Sequence, residues 1–252
     1  VRLGQVLQAQ GTDAVHFCAM LYPFRAGHLE EVLGQAGRRG FHGALIANTI
    51  AADDDFLARA DLPFPAVLLG RDIDGYSAIL SDAEGNGREA AAHLHAGTRS
   101  CLAVLRPRLL TQATHGRLTG FAAGCAEHGL RPPREIVCDR FDEHAAFAAM
   151  TAELRSRRRR PEGVFALSDL LAVGAYRAIQ DKGLRIPGDI AVLGYDDLPV
   201  ARYLDPPLST FCVPAEQFHA EATKLLVRSI LEPSTSTVQR IYTPTLTRRQ
   251  ST

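Results

Sequence analysis

The feature of this sequence that most restricts its fold is a regular alternation of short apolar runs with longer amphipathic segments. Most of the runs between residues 42 and 194 are apolar throughout, which is typical of parallel strands buried on both faces. The segments between them space their apolar residues as helices with one buried face do. Parallel strands need such crossover helices, so the alternation predicts an α/β protein built from right-handed βαβ units in doubly wound sheets.

The pattern also predicts the order of the elements and two lobes. We predict strands at residues 13–21, 42–48, 66–70, 77–80, 101–105, 134–139, 163–167, 190–194 and 208–214, and a strand-like piece at the end of 234–249. We predict helices at residues 3–10, 28–40, 84–97, 117–130, 144–157, 169–183 and 215–233, with a short helix in 53–60. The alternation stops after residue 208. A chain that builds two lobes and crosses back has several linking segments, which is hinge geometry.

The last predicted helix carries an apolar stripe whose partner the sequence leaves open. Its members are Phe218, Ala222, Leu225, Leu226 and Ile230. They lie on one face at helical spacing. The stripe fits either the core of a lobe or a dimer surface.

The composition excludes several classes of protein. Of the 252 residues, 46% are hydrophobic, and 28 basic residues balance 28 acidic ones, so no overall charge draws the chain to nucleic acid or a membrane. The five cysteines form no CxxC pair, and their odd number favours reduced thiols over a disulfide framework. We expect no metal and no cofactor. The absence of a secretory or membrane-spanning stretch predicts a cytoplasmic protein, unless a signal segment has been removed.

Polar residues stand where two predicted strands end. Ser168 and Asp169 follow strand 163–167, and Asp196 and Asp197 follow strand 190–194. Ligands of open parallel sheets bind outside the carboxyl ends of the strands. Carboxylates that accept several hydroxyl hydrogen bonds suit a sugar. The same residue types also cap helices, so capping stays open for each.

The segment "VLGYDD" divides between these two roles. We expect Gly194 and Tyr195 to turn the chain at the end of the strand. We then expect Asp196 to bind a ligand and Asp197 to cap the segment that follows.

Two further side chains are candidates for ligand binding. Arg117 lies in the first turn of the predicted helix 117–130, where its guanidinium could pair with hydroxyls or a carboxylate, or remain a solvated surface group. Phe141 follows a strand and could stack on an apolar ligand face, or belong to the core. An enzyme using Asp196 and Asp197 as acid and base is an alternative, but adjacent carboxylates are awkwardly placed for opposite sides of one bond. We therefore predict no catalytic residue.

Three segments resemble a known family. They are "GVFALSDLLAVGAYRAIQDKGLRIPGDIAVLGYDDLPVARYLDPPLSTF" (163–211), "SDAEGNGREAAAHL" (81–94) and "HGRLTGFAAGCAEHGL" (115–130). In order and spacing they resemble landmarks of the lactose-repressor/galactose-repressor family of bacterial transcription regulators. The resemblance covers essentially the whole chain, and it is strong in the second half and loose before residue 75.

The resemblance implies a periplasmic-binding-protein-like fold with two lobes joined by three crossovers. The crossovers are expected near residues 105–108, 211–214 and 234–238. The N-terminal lobe would comprise residues 1–105 and 214–236, and the C-terminal lobe residues 106–213 and 237–252.

The resemblance also assigns residues to an effector site between the lobes. Arg117 matches an arginine that binds effector, Asp196 a cleft aspartate, and Phe141 an aromatic residue that lines the pocket. Asp82 matches an acidic position at the end of the short strand, with helix capping as the alternative. Ser168 stands where relatives commonly have Asn, and its shorter reach implies a different or water-bridged effector.

By this resemblance the chain is the effector-binding and dimerisation core of a repressor and not an enzyme. The effector would be a small polar molecule, most simply a sugar, and the homodimer would bind operator DNA through a helix-turn-helix headpiece that this sequence lacks. The first strand of the N-terminal lobe would also precede residue 1, so we expect that residue 1 is not the biological start. A sugar-binding protein of a transport system with the same lobes is the alternative.

Overall fold

The computed structural model describes residues 28–38, 40–47, 49–96, 98–156, 159–232 and 236–252. The helix predicted at 3–10 and the strand predicted at 13–21 lie outside these residues. The chain divides into two compact units, each described separately below. The N-terminal unit takes its described residues from Val1–Ser81, Thr111–Ala113 and Pro214–Tyr242, and the C-terminal unit comprises Asp82–Leu110, Thr114–Val213 and Thr243–Thr252.

The described elements follow the predicted order, with bounds that shift by a few residues. The helices are α1 (His28–Arg38), α2 (Ala51–Leu57), α3 (Ala83–His95), α4 (Gln112–Glu127), α5 (Glu143–Arg155), α6 (Asp169–Asp181) and α7 (Ala215–Leu231). The strands are β1 (Ala44–Ala47), β2 (Ala66–Leu69), β3 (Ser77–Ser81), β4 (Leu102–Pro107), β5 (Arg134–Cys138), β6 (Gly163–Ala166), β7 (Ala191–Asp196), β8 (Ser209–Cys212), β9 (Gln239–Tyr242) and β10 (Thr245–Thr247), and a 3₁₀ helix covers Pro199–Arg202. None of the described helices is long and apolar enough to cross a membrane.

The described N-terminal unit is built on a parallel sheet with strand order β1-β2-β3-β9. Helices α1 and α2 contribute to the core on one face of this sheet, and α7 packs on the other face. On α7, Ala222 is fully buried and packs with Val67 and Ile79 of the sheet. Phe218, Leu225 and Leu226 pack against the same cluster, so the apolar stripe of α7 is a core face.

The C-terminal unit is built on a six-stranded sheet with the order β10-β8-β7-β6-β4-β5. Its neighbouring strands are parallel except β10, which runs antiparallel to β8. Helices α3 and α4 cover one face and α5 and α6 cover the other, which confirms the predicted doubly wound arrangement. Burial on both faces explains why β6 and most of β4 and β7 are apolar, since each buried large side chain stabilises the fold by about 1.5–3 kcal/mol.

Glycines bring α3 and α4 into backbone contact. A Cβ added at Gly87 would lie 2.4 Å from the carbonyl oxygen of Arg117, and one added at Gly120 would lie 2.1 Å from the carbonyl oxygen of Glu84. Only residues without a side chain allow helices to approach this closely. This seam fixes the backbone of α4 around Arg117.

The units divide the chain at positions that differ from the predicted lobe boundaries. Residues 82–105, predicted in the N-terminal lobe, belong to the C-terminal unit, because α3 packs on the six-stranded sheet and β4 lies between β6 and β5. The last division falls between residues 242 and 243 instead of 236 and 237, because β9 pairs with β3 whereas β10 pairs with β8. The units also divide between residues 213 and 214.

Two local predictions were wrong. Helix α4 begins at Gln112, so Arg117 lies in its second turn instead of its first. Gly116, which directly precedes the predicted helix, lies inside α4 and packs close to Ala83 of α3. Strand β7 extends to Asp196, so Gly194 and Tyr195 continue the strand and do not turn the chain. Pairing with β8 carries the strand past the end of its apolar run.

Candidate functional site

The candidate site lies at the carboxyl edge of the six-stranded sheet. In this sheet β4 has β5 on one side, and β6, β7 and β8 lie on the other side. The strand order therefore reverses beside β4, and ligands of open α/β sheets bind at such a point. Ser168 follows β6 and Asp196 ends β7, while α4 carries Arg117 after β4.

Ser168 joins two of these elements. Its hydroxyl donates to Oδ2 of Asp196 over 2.8 Å. Oγ of Ser168 also accepts a hydrogen bond from the backbone N–H of Leu170, and Ser168 is the N-cap residue of α6. Capping, the alternative role of Ser168, is thus observed, and it coexists with a contact to the predicted ligand-binding carboxylate.

Arg117 is buried, with 8% of its surface exposed, so the alternative of a solvated surface arginine is wrong. Nη1 donates to the carbonyl oxygen of Leu167 over 2.8 Å. Cζ lies 3.4 Å from the centre of the Tyr195 ring, which is a cation–π contact. The Tyr195 hydroxyl in turn donates to Oδ1 of Asn86 over 3.1 Å. These contacts fix the guanidinium plane on a buried ring.

One donor of this guanidinium is left over. Among the described residues, Nε of Arg117 is buried and has no hydrogen-bond partner. A buried donor without a partner costs free energy, so a site that retains one is a candidate for binding an acceptor from outside. Arg117 therefore remains a candidate for ligand binding, as the sequence predicts.

Asp196 provides a carboxylate within the electrostatic influence of Arg117. Burial raises the pKa of its carboxyl, while the positive charge of Arg117 and the hydrogen bond from Ser168 act in the opposite direction. Its backbone φ is 109°, a left-handed conformation that is unusual for a residue other than glycine. A carboxylate held in this way would gain from the hydroxyl donors of a ligand, which replace lost water.

Asp169 lies behind Asp196 and is fully buried. Oδ1 accepts from the Thr210 hydroxyl over 2.6 Å, and Oδ2 accepts from the backbone N–H of Leu198 over 2.7 Å. Burial, reinforced by the nearby charges of Asp196 and Asp197, raises the pKa of Asp169 to about 7. The sequence suggested only a cap or a polar strand-end residue here. The hydrogen bonds of Asp169 to Leu198 and Thr210 were not predicted, because they depend on β6, β7 and β8 being adjacent in the sheet.

Asp197 was predicted to cap the following segment, and this prediction was wrong. The N-cap of the 3₁₀ helix is Leu198, which makes no side-chain cap. Oδ1 of Asp197 instead accepts from Nη2 of Arg249 over 2.6 Å. Arg249 comes from the far end of the chain, beyond the reach of local sequence reasoning.

Phe141 and Asp82 lie on separate loops of the C-terminal unit. Phe141 is 38% exposed between β5 and α5, so it is not a core residue. Asp82 is the N-cap of α3, and its side chain accepts from the N–H of Gly85 over 2.9 Å. Among the described residues, no hydrogen bond or ring contact joins either side chain to Arg117, Ser168 or Asp196. Their role in ligand binding stays a prediction.

The described ranges contain no group of three or more His, Cys, Asp or Glu side chains arranged to hold a metal ion.

Comparison with known proteins identifies the family. A family model described as the periplasmic binding protein-like domain matches residues 90–252. The ribose operon repressor of Haemophilus influenzae is 36% identical over 161 residues, which cover 64% of this chain and 48% of that repressor. The chain thus spans about half the length of this relative.

Solved structures of regulators share the fold. The transcriptional regulator CelR, in complex with cellobiose, is 28% identical, with a TM-score of 0.86 over 100% of this chain and 77% of that chain. A LacI family transcriptional regulator from Enterococcus faecalis with bound ribose is 25% identical, with a TM-score of 0.83 over 100% of this chain and 91% of that chain. These likenesses confirm the predicted fold, and the relatives are regulators and repressors, as predicted, rather than enzymes. The chain therefore belongs to the family of periplasmic binding protein-like domains, within the lactose-repressor/galactose-repressor group of transcriptional regulators.

Proposed function

We propose that this chain is the effector-binding domain of a sugar-responsive transcriptional repressor. The observation that carries the proposal is the buried Arg117, whose Nε has no partner among the described residues, beside the Asp196 carboxylate. A sugar ring offers what this pair lacks, because its hydroxyls both accept and donate hydrogen bonds. The ribose and cellobiose in two related regulators support the same ligand class.

The remaining predicted residues have distinct parts in this proposal. Ser168 holds Asp196 and, being shorter than an amide, leaves room for a water molecule between itself and the sugar. Phe141 covers an apolar face of the sugar with its exposed ring. Asp82 contributes an acceptor while it caps α3.

The proposal extends to regulation. The effector would bind between the two lobes and favour one lobe arrangement, since a ligand shifts an equilibrium only by its differential affinity for the two states. In a cytoplasmic homodimer this would change the spacing of two DNA-reading headpieces and release or strengthen operator binding. The headpiece would belong to the part of the relatives' length that this chain does not span.

A thermal-shift screen of the purified chain against D-ribose, cellobiose, D-galactose and lactose tests the ligand class. A sugar present at 100 times its dissociation constant stabilises the fold by about 2.7 kcal/mol, which raises the melting temperature by about 5–10 °C. Asp196→Asn should remove most of this shift. Asp181→Asn, which alters an exposed carboxylate paired with Arg177 on α6, is the control that should keep it. If no sugar or other polar metabolite raises the melting temperature, the proposal fails.

A sugar-binding protein of a transport system is the second candidate, favoured by the description of the matching family model. The two functions differ in DNA binding. A repressor, expressed with its complete reading frame, retards operator DNA in a gel and responds to the sugar, whereas a transport protein binds the sugar and no DNA.

A further inference from the structure

Two consecutive residues at the end of β7 have left-handed backbone conformations. Asp196 has φ of 109° and Asp197 has φ of 51°. Residues other than glycine stay in such conformations only where the surroundings hold them. We refer to Asp196 and Asp197 as the Asp196–Asp197 turn. The groups that hold this turn therefore also fix the direction of the Asp196 carboxylate.

Asp169 bonds to the chain after this turn and to the strand beside it. Oδ2 accepts from the N–H of Leu198, directly after the turn, and Oδ1 accepts from the hydroxyl of Thr210 on β8. Thr210 is the register partner of Gly194, two residues before Asp196. One fully buried carboxylate thus ties the turn to β8.

Gly194 shows how closely Asp169 approaches β7. A Cβ at Gly194 would lie 2.2 Å from Oδ1 of Asp169. Any side chain at residue 194 would displace the Asp169 carboxylate from its bonds. Residue 194 was predicted to be part of a turn. Its lack of a side chain instead leaves the space that the Asp169 carboxylate occupies.

The N-cap residue of α6 also contacts the Asp196 carboxylate, since Ser168 donates to Oδ2 of Asp196. We propose that Asp169 is a positioning residue for effector binding, which holds the Asp196–Asp197 turn by its bonds to Leu198 and Thr210 while Ser168 orients the Asp196 carboxylate. This inference rests on the proposed function, because it assumes that Asp196 binds the effector.

The test compares sugar affinity with stability in variants of Asp169. Asp169→Leu has a similar volume and accepts no hydrogen bond, so the dissociation constant for D-ribose, or for whichever sugar of the panel gives the largest thermal shift, should rise by about tenfold. Asp169→Asn keeps one acceptor and should restore the affinity to within about threefold of the wild type. Asp181→Leu on the same helix should leave the affinity unchanged. Titration calorimetry well below the melting temperature separates loss of affinity from loss of fold.

A second pair of variants keeps the test decisive if Asp169→Leu does not fold. Thr210→Val removes one of the two bonds at nearly constant volume and should weaken sugar binding by about threefold, whereas Thr210→Ser keeps the hydroxyl and should bind as the wild type does. Wild-type affinity in Asp169→Leu, or in Thr210→Val if Asp169→Leu does not fold, would overturn the inference.

Hydrogen exchange gives a readout that needs no ligand. The amide of Leu198 should exchange faster in Asp169→Leu, and in Asp169→Asn if the first variant does not fold, than in the Asp181 control, because its acceptor is removed or weakened. Unchanged protection of Leu198 would overturn the inference whether or not a sugar binds. If the wild type binds no sugar but Leu198 loses protection, the proposed function fails while the hold of Asp169 on the turn stands.

Discussion

Two arginines of the C-terminal unit, Arg117 and Arg249, differ in how completely the fold satisfies them. Nη1 of Arg249 donates to the carbonyl oxygen of Leu208 and Nη2 donates to Asp197, over 2.7 and 2.6 Å. Arg117 donates to one carbonyl oxygen and lies on the Tyr195 ring, and its buried Nε has no partner among the described residues. The two are similarly enclosed, since the side chain of Arg249 is only 15% exposed.

The difference between the two arginines distinguishes a charge that is neutralised within the fold from one that is available to bind a ligand. Asp197 and Arg249 neutralise each other inside the fold, so this pair holds the end of β7 to the C-terminal segment. Asp196 directly precedes Asp197 in the chain, but burial raises its pKa in spite of Arg117 and Ser168. Polar groups that a fold buries and leaves incompletely compensated are candidates for a functional site. The comparison thus predicts opposite phenotypes for the two arginines.

Arg249→Met should have the largest effect on stability. It leaves the buried carboxylate of Asp197 with only the longer contact to the exposed Arg202, at 3.9 Å, and breaking a buried ion pair costs about 3–5 kcal/mol. The melting temperature should fall by about 6–20 °C in a thermal melt of the purified chain. Arg228→Met on α7, which removes an exposed pair with Glu232, is the control and should change the melting temperature little. Equal stability of the two variants would contradict the structural role of Arg249.

Arg117→Met should reverse this pattern. We expect sugar affinity to fall by about 30- to 100-fold, or about 2–3 kcal/mol, because the variant loses the charge and the Nε donor that the proposed function assigns to the sugar. The apolar side chain can still cover the Tyr195 ring, so the loss of stability should be smaller than for Arg249→Met. Calorimetry with the sugar found in the screen measures the first quantity and a thermal melt the second. Wild-type sugar affinity in Arg117→Met would contradict the assignment of Arg117 to ligand binding and of Arg249 to stability.

The sequence was informative where the chemistry is local. The apolar runs predicted the buried strands, and the residue types at the strand ends directed attention to Ser168 and Asp196, which lie within hydrogen-bond distance. Partnerships between distant segments were not predictable. Asp197 looks like a cap until Arg249, 52 residues later, is seen beside it, and Gly194 looks like a turn until Asp169 is seen to fill its side-chain space. The strand order decides such contacts, and a single sequence does not encode it in any local pattern.

Gly120→Ala tests whether the site around Arg117 depends on the backbone seam between α3 and α4. The new Cβ would meet the carbonyl oxygen of Glu84, a backbone atom that cannot move aside, so we expect a loss of about 1–3 kcal/mol and weaker sugar binding. Gly34→Ala in α1 is a matched control, because its nearest neighbour is the flexible Arg38 side chain at 3.7 Å. That variant should be stabilised by about 0.5–1 kcal/mol, as is usual for glycine in a helix. A neutral Gly120→Ala would show that the seam has room to separate.

The smallest effect concerns the buried carboxyl of Asp169, whose pKa of about 7 lies above the ordinary value of 3.8. Between about pH 4 and pH 7 the folded state therefore holds a proton that the unfolded state has already released. This group contributes stability at low pH that falls over this range and is lost once the pH has risen through 7. Asp169→Asn cannot ionise. Its stability relative to the wild type should improve between pH 5 and pH 8, by at most about 1.4 kcal/mol per pH unit. The raised pKa of Asp196 acts in the same direction but is common to both proteins, so the difference between their melting curves isolates Asp169. A difference that is constant from pH 5 to pH 8 would contradict the raised pKa of Asp169.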